Sequence, residues 1–176
     1  MALIGFLLCL GFPALLAAAA VCDLARYRIP NTFSIALALL YLPAALAVGT
    51  GLEQIAWHLV AGLIVLLVGM ALFFAGLFGG ADAKMLAAAA CWTGFPLLVP
   101  FLIVMALAGG VLALVLLALR LVLARTGRQG ATTARAGWIT RQLERPKAVP
   151  YGLAIAVGGI AVFGRLPTVI DAIAMP

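Results

Sequence analysis

The sequence predicts an all-α polytopic membrane protein of about six transmembrane helices, one of them short. Three observations carry that expectation. Of the 176 residues, 67% are hydrophobic; charged side chains are few (11 basic, 5 acidic); and long apolar runs recur along nearly the whole chain. A run of about 20 residues wound as a helix matches the roughly 30 Å hydrocarbon core of a bilayer. A soluble domain has nowhere to hide so much apolar surface.

The first span is expected over 3–21. It is not a cleaved signal peptide, because no base precedes the apolar run and the first positive charge is Arg26. Ala19-Ala20-Val21-Cys22 faintly resembles a lipoprotein cleavage site, but Val21 is too large for the position before the cysteine. A second span runs over 32–49 and ends at Gly49-Thr50-Gly51, and a third over 54–77 stops at Gly79-Gly80. Residues 83–93 are Ala-rich and helical in character, but span only about 16 Å at 1.5 Å per residue, too little to cross a bilayer alone. Thr93-Gly94-Phe95-Pro96 breaks that segment, and a long helix follows over 97–123. The last span covers 150–165, with an apolar tail to Pro176.

The whole chain, 1–176, reads as one membrane-embedded domain, with 120–148 as a basic loop inside it. Charge orients the stack. Arg26 and Arg28, Lys84, and the seven bases of 120–148 fall on alternate connections, whereas the opposite side offers Glu53, Arg165 and Asp171. Ten of the eleven bases on one side is a strong positive-inside signal, so these connections are expected in the cytoplasm and both termini outside. That arrangement also explains the net charge of +6 without nucleic acid, since the bases flank spans with little aromatic interleaving. Contact with anionic lipid headgroups is an equal alternative to a substrate role for the 120–148 loop. Cys9, Cys22 and Cys91 form no CxxC pair, which argues against a zinc site or a disulfide framework.

Two acids stand apart. Asp23, in Cys22-Asp23-Leu24-Ala25-Arg26-Tyr27-Arg28-Ile29-Pro30-Asn31, and Asp82, in Gly79-Gly80-Ala81-Asp82-Ala83-Lys84, are distant in the chain yet lie on the same expected face. Carboxylates at the edge of a bilayer are expensive, and their presence marks function. A carboxylate pair supports aspartic peptidase chemistry: one ionised group takes a proton from water while its protonated partner hydrogen-bonds the scissile carbonyl. Such a pair titrates as a unit. The other nucleophile sets are missing, with one histidine, His58, far from both aspartates, and one serine, Ser34. Gly79-Gly80 would let the backbone bend or let an extended substrate strand approach. Lys84 either tunes the pair or simply follows the charge rule, and Arg26 and Arg28 share that ambiguity. Pro30-Asn31 starts the second span, with Asn31 as its N-cap. The glycine pairs 109–110 and 158–159 read as helix-packing notches. Glu53 and Asp171 are expected to be solvated and dispensable.

Asp23 followed by Arg28-Ile29-Pro30-Asn31, then Gly79-Gly80-Ala81-Asp82-Ala83-Lys84, then Val149-Pro150-Tyr151-Gly152 resemble, in order, the motifs of the type IV prepilin peptidases. These are polytopic aspartic peptidases whose second aspartate lies in a GxGD motif. The resemblance covers nearly the whole chain, and the small size is similar to the Flp/Tad branch, in which the peptidase domain stands alone. It implies a bacterial cytoplasmic (inner) membrane enzyme that cuts the basic leader from prepilins and pseudopilins at the cytoplasmic face, with no cofactor and no metal. It implies Asp23 and Asp82 as the catalytic pair, supported by Gly79, Gly80, Ala81, Lys84, Arg28, Pro30, Asn31, Pro150, Tyr151 and Gly152. Larger relatives add a cysteine-rich domain that methylates the product; this chain has no such insertion, so no methylation is expected. One departure is Ala81 at the third position of the GxGD-like motif, where alanine would strain a loop needing positive φ. A different class, a non-catalytic subunit or small transporter using the two acids as a proton or cation site, is the alternative, and an inactive relative is a third.

Overall fold

A computed structural model describes residues 2–26, 28–125 and 150–174. Its helices, in chain order, are α1 (Ala2–Arg26), α2 (Asn31–Ala47), α3 (Leu52–Phe74), α4 (Gly80–Arg125), α5 (Tyr151–Val162) and α6 (Pro167–Ala174), with a 3₁₀ turn at Phe163–Arg165 before α6. No strand occurs among the described residues. Four stretches are long and apolar enough to cross a membrane: Leu3–Arg26, Leu52–Phe74, Gly80–Val122 and Tyr151–Ala174; α2 is a shorter apolar helix. The protein is therefore multi-pass. Its lipid-facing surface is rich in exposed leucine, isoleucine and valine.

Helices lie where the sequence predicts spans, with shifted ends, but four of them, not six, are long and apolar enough to cross a membrane among the described residues. α1 runs on to Arg26, so Asp23 lies inside its last turn rather than beyond it. The final span is not one straight helix, because the 3₁₀ turn separates α5 from α6. α2 and α3 both end in Schellman turns. Gly49 (φ 73°) and Gly76 (φ 74°) take the left-handed conformation there. The following amides reach back to close each helix, Thr50 to Ala45 O and Leu77 to Leu72 O, both at 2.9 Å.

The largest difference from expectation is α4. The short segment and the long one are a single run of helical residues, interrupted in backbone angle only at Gly94 (φ 55°, ψ −173°). Its first arm, 80–93, is roughly 21 Å long and its second, 95–125, roughly 46 Å. The arms run in opposite directions. Gly69 packs on Ala83 and Gly62 on Cys91, so the first arm is antiparallel to α3. Gly109 packs on Tyr151 and Ala154 while Gly158 meets Phe101 and Met105, so the second arm is antiparallel to α5. α5 is in turn antiparallel to α1, with Gly159 against Leu16 and Gly152 against Asp23. Proline explains the break: Pro96 has no N–H for the Trp92 carbonyl, and its ring crowds that turn.

Side chains from other helices fill the gap. His58 Nδ1 lies 2.9 Å from the Cys91 carbonyl, which accepts, so the proton sits on Nδ1. Trp92 Nε1 donates to Leu37 O at 2.8 Å. His58 stacks on Tyr41 (centroids 5.4 Å apart), and Trp92 meets both Phe12 (5.1 Å) and Tyr41 (5.7 Å). This aromatic knot is the centre of the core. Of the expected packing notches, Gly109, Gly158 and Gly159 each abut a neighbouring helix, whereas Gly110 faces open space.

Candidate active site

At the other end of the first arm, the segments singled out in the sequence come together. Asp23 is buried, and its Oδ2 accepts the Gly152 backbone N–H at 2.8 Å. Gly152 lies in the first turn of α5, behind Pro150 at the N-cap. Amides of a first helical turn have no intrahelical partner and point outward, which suits a carboxylate. A Cβ at 152 would stand 2.8 Å from Asp23 Oδ2 and 2.9 Å from Ile29 Cδ1, so any larger residue must push these side chains aside. The Pro-Tyr-Gly segment thus aligns an amide with Asp23 and keeps the space before it clear.

Asp82 sits in the first turn of α4, partly buried, just after Phe78, whose ring meets Tyr151 next to the Gly152 that holds Asp23. Neither Gly79 nor Gly80 has positive φ. A Cβ on Gly79 would run into the Asp82 carboxylate, and one on Gly80 would press on the Phe73 ring at 3.2 Å. Helix α4 starts at Gly80 and is anchored by Ala83 N–H to Gly79 O at 2.9 Å. Ala81 is already helical, so the anticipated strain at the departed motif position does not arise; alanine is the best helix former.

The supporting residues divide into two groups. Tyr151 packs its ring edge-on against Phe78, 5.8 Å between centroids, tying the start of α5 to the segment before α4. Lys84 donates to Asn31 Oδ1 at 3.3 Å, bridging α4 to the start of α2. Asn31 is therefore not the expected N-cap. Pro30 occupies that position with extended angles and no side-chain cap, and its carbonyl accepts from Phe33 N–H at 3.1 Å, which leaves the Asn31 amide for Lys84. Arg28 is exposed, with no polar tie to the pair among the described residues. Val149 and residues 126–148 of the expected basic loop lie outside the described residues, while Arg120 and Arg125 lie in α4.

Sequence reasoning set His58 aside as remote from the aspartates. It is remote, yet it secures the reversal that returns the second arm to the level of Tyr151. The only sequence signal for it was the Gly94-Phe95-Pro96 break, which leaves carbonyls in need of a donor.

With this geometry in view, comparison with known proteins adds a family: the sequence model of the type IV leader peptidase family matches residues 3–114, which include Asp23 and Asp82. No curated protein and no solved structure matches.

Proposed function

Since the chain belongs to the type IV leader peptidase family, we propose that it is an aspartic endopeptidase cleaving the basic leader from Flp-type prepilins and pseudopilins, with Asp23 and Asp82 as its dyad. The observation that carries this is the convergence of two acids from separate helices, α1 and α4, in one half-buried site, one of them held by the Gly152 amide.

In the proposed reaction the ionised member of the pair removes a proton from a water molecule, whose oxygen attacks the scissile carbonyl carbon. The protonated member hydrogen-bonds the carbonyl oxygen as negative charge builds there. When the tetrahedral intermediate collapses, the C–N bond breaks and the leaving nitrogen takes up a proton from the pair. The Gly152 N–H occupies one oxygen of Asp23 and fixes the carboxylate plane, leaving the other oxygen for water. Held geometry of this kind is what converts an encounter into an attack. Charge distribution supports a cytoplasmic site and periplasmic termini, and the family membership supports residence in the bacterial inner membrane. Cleavage without methylation is part of the proposal.

The test is co-expression with a tagged Flp-type prepilin, reading leader loss by mass. Asp23→Asn and Asp82→Asn are each expected to lower cleavage by about 10²- to 10⁴-fold while the protein stays inserted. Undiminished cleavage by either variant removes that residue from the dyad.

A further inference from the structure

The first arm of α4 has a second face that the proposed dyad does not use. Between α2 and α3 an open lateral groove of about 610 Å³ runs along it. Its floor is Ala87 and Ala88 of α4, with Ala38 of α2 and Gly62 of α3 low on either wall. Small residues at such positions let another helix backbone come close. The floor from Lys84 to Cys91 measures about 10 Å, two turns of helix, and a helix with side chains is about 10 Å across. Three packed helices thus form a trough whose floor is two helical turns long, the length of contact that one face of a fourth helix would make there.

The groove is polar at one end only. Lys84 and Asn31, joined by their hydrogen bond, stand at its mouth, and this end lies at the level of Asp82. Two residues apart on a helix are about 200° apart around its axis, so Lys84 and Asp82 flank opposite sides of the first turn of α4. Between them lies the end of that helix, where Gly79 is exposed and carries no side chain.

The geometry points to this groove as the docking site for the apolar transmembrane helix of the substrate, seated so that the peptide preceding it crosses Gly79 to reach Asp23 and Asp82. The identity of the occupant rests on the peptidase reading above. The sideways opening of the groove admits a helix already resident in the bilayer.

The experiment places photoreactive benzoylphenylalanine at Ile35 or Leu63, exposed residues on the two lips of the groove, and at Ile103 on the lipid face of the second arm as reference. Each is made in the otherwise intact chain and with Asp82→Asn, and co-expressed with a Flp-type prepilin. The expected result is a prepilin adduct from Ile35 and Leu63, mapping to the apolar helix, at least ten-fold above that from Ile103. Ala88→Trp, which fills the floor, should reduce that adduct about ten-fold. Adducts to lipid alone, or prepilin adducts no stronger than at Ile103, overturn the proposal. Leader loss in the same cells reads the peptidase assignment separately. Crosslinking without cleavage by the intact chain defeats the peptidase reading and leaves the groove standing; cleavage without crosslinking does the reverse.

Discussion

The two ends of the first α4 arm are built differently. At the Gly94 end, Trp92 and Thr93 are fully buried, His58 and Trp92 each bond a backbone carbonyl from another turn or helix, and four aromatic rings interlock. At the Asp82 end the ties among the described residues are smaller and more polar: an amide-to-carboxylate bond, an exposed Lys84–Asn31 bond, a buried Ser34–Met85 hydrogen bond and one ring contact. The aromatic knot lies about 18 Å along the helix from Asp82. Regions with few buried contacts open most readily, and a site that admits a substrate belongs among them. The far end holds the arm in place, and the near end is left free to receive a peptide.

Substitutions can test that division, and the largest effect is expected at Gly152. The Gly152→Ala methyl meets Asp23 Oδ2 at 2.8 Å and displaces the carboxylate. A shift of about 1 Å is worth roughly 10²-fold in rate, so prepilin cleavage should fall by about that factor while the melting temperature in detergent moves little. Equal loss of stability would mean that the α1–α5 contact is chiefly structural. Gly94→Ala should give the opposite pattern. Positive φ disfavours alanine, and its Cβ would stand 2.6 Å from His58 Nε2, so a loss of roughly 1–3 kcal/mol is expected in a denaturation measurement. His58→Ala leaves the Cys91 carbonyl without its side-chain donor and should destabilise by about 1–3 kcal/mol. A His58→Ala protein as stable as the parent would remove that bond from the account of the reversal. The smallest effect is assigned to Ala81→Gly, which should retain cleavage and lose no more than about 1 kcal/mol, because residue 81 sits in a helix. A large gain in activity would show that the position needs more freedom than a first helical turn provides.

Much of this architecture was legible in the sequence because it depends on local signals. Runs of leucine and alanine marked the helices, Gly49 marked the stop of α2, and Thr93-Gly94-Phe95-Pro96 marked the break that the backbone makes at Gly94, whereas α3 stops at Gly76 rather than at the expected Gly79-Gly80, where α4 begins. Asp23, Asp82 and the Pro150-Tyr151-Gly152 segment were singled out, and the structure gathers them at one end of the bundle. What stayed hidden depends on contacts between distant segments. Nothing in the neighbourhood of Asn31 says that Lys84 will claim its amide and leave capping to Pro30. Nothing near Gly79 says that a Cβ there would meet the Asp82 carboxylate, since that follows from where the Asp82 side chain turns. The partnership of His58 with the distant Cys91 carbonyl is of the same kind.

The Asp23–Gly152 bond joins positions 129 residues apart, and this sets an order of events during synthesis. Translation delivers Asp23 to the membrane long before the amide that holds it has been made, and the first arm of α4, at roughly 21 Å, is too short to insert as a span by itself. The two arms therefore enter together as a hairpin, and α5 must follow before the carboxylate is fixed. A chain that stopped short of α5 would carry both acids without the amide that holds Asp23.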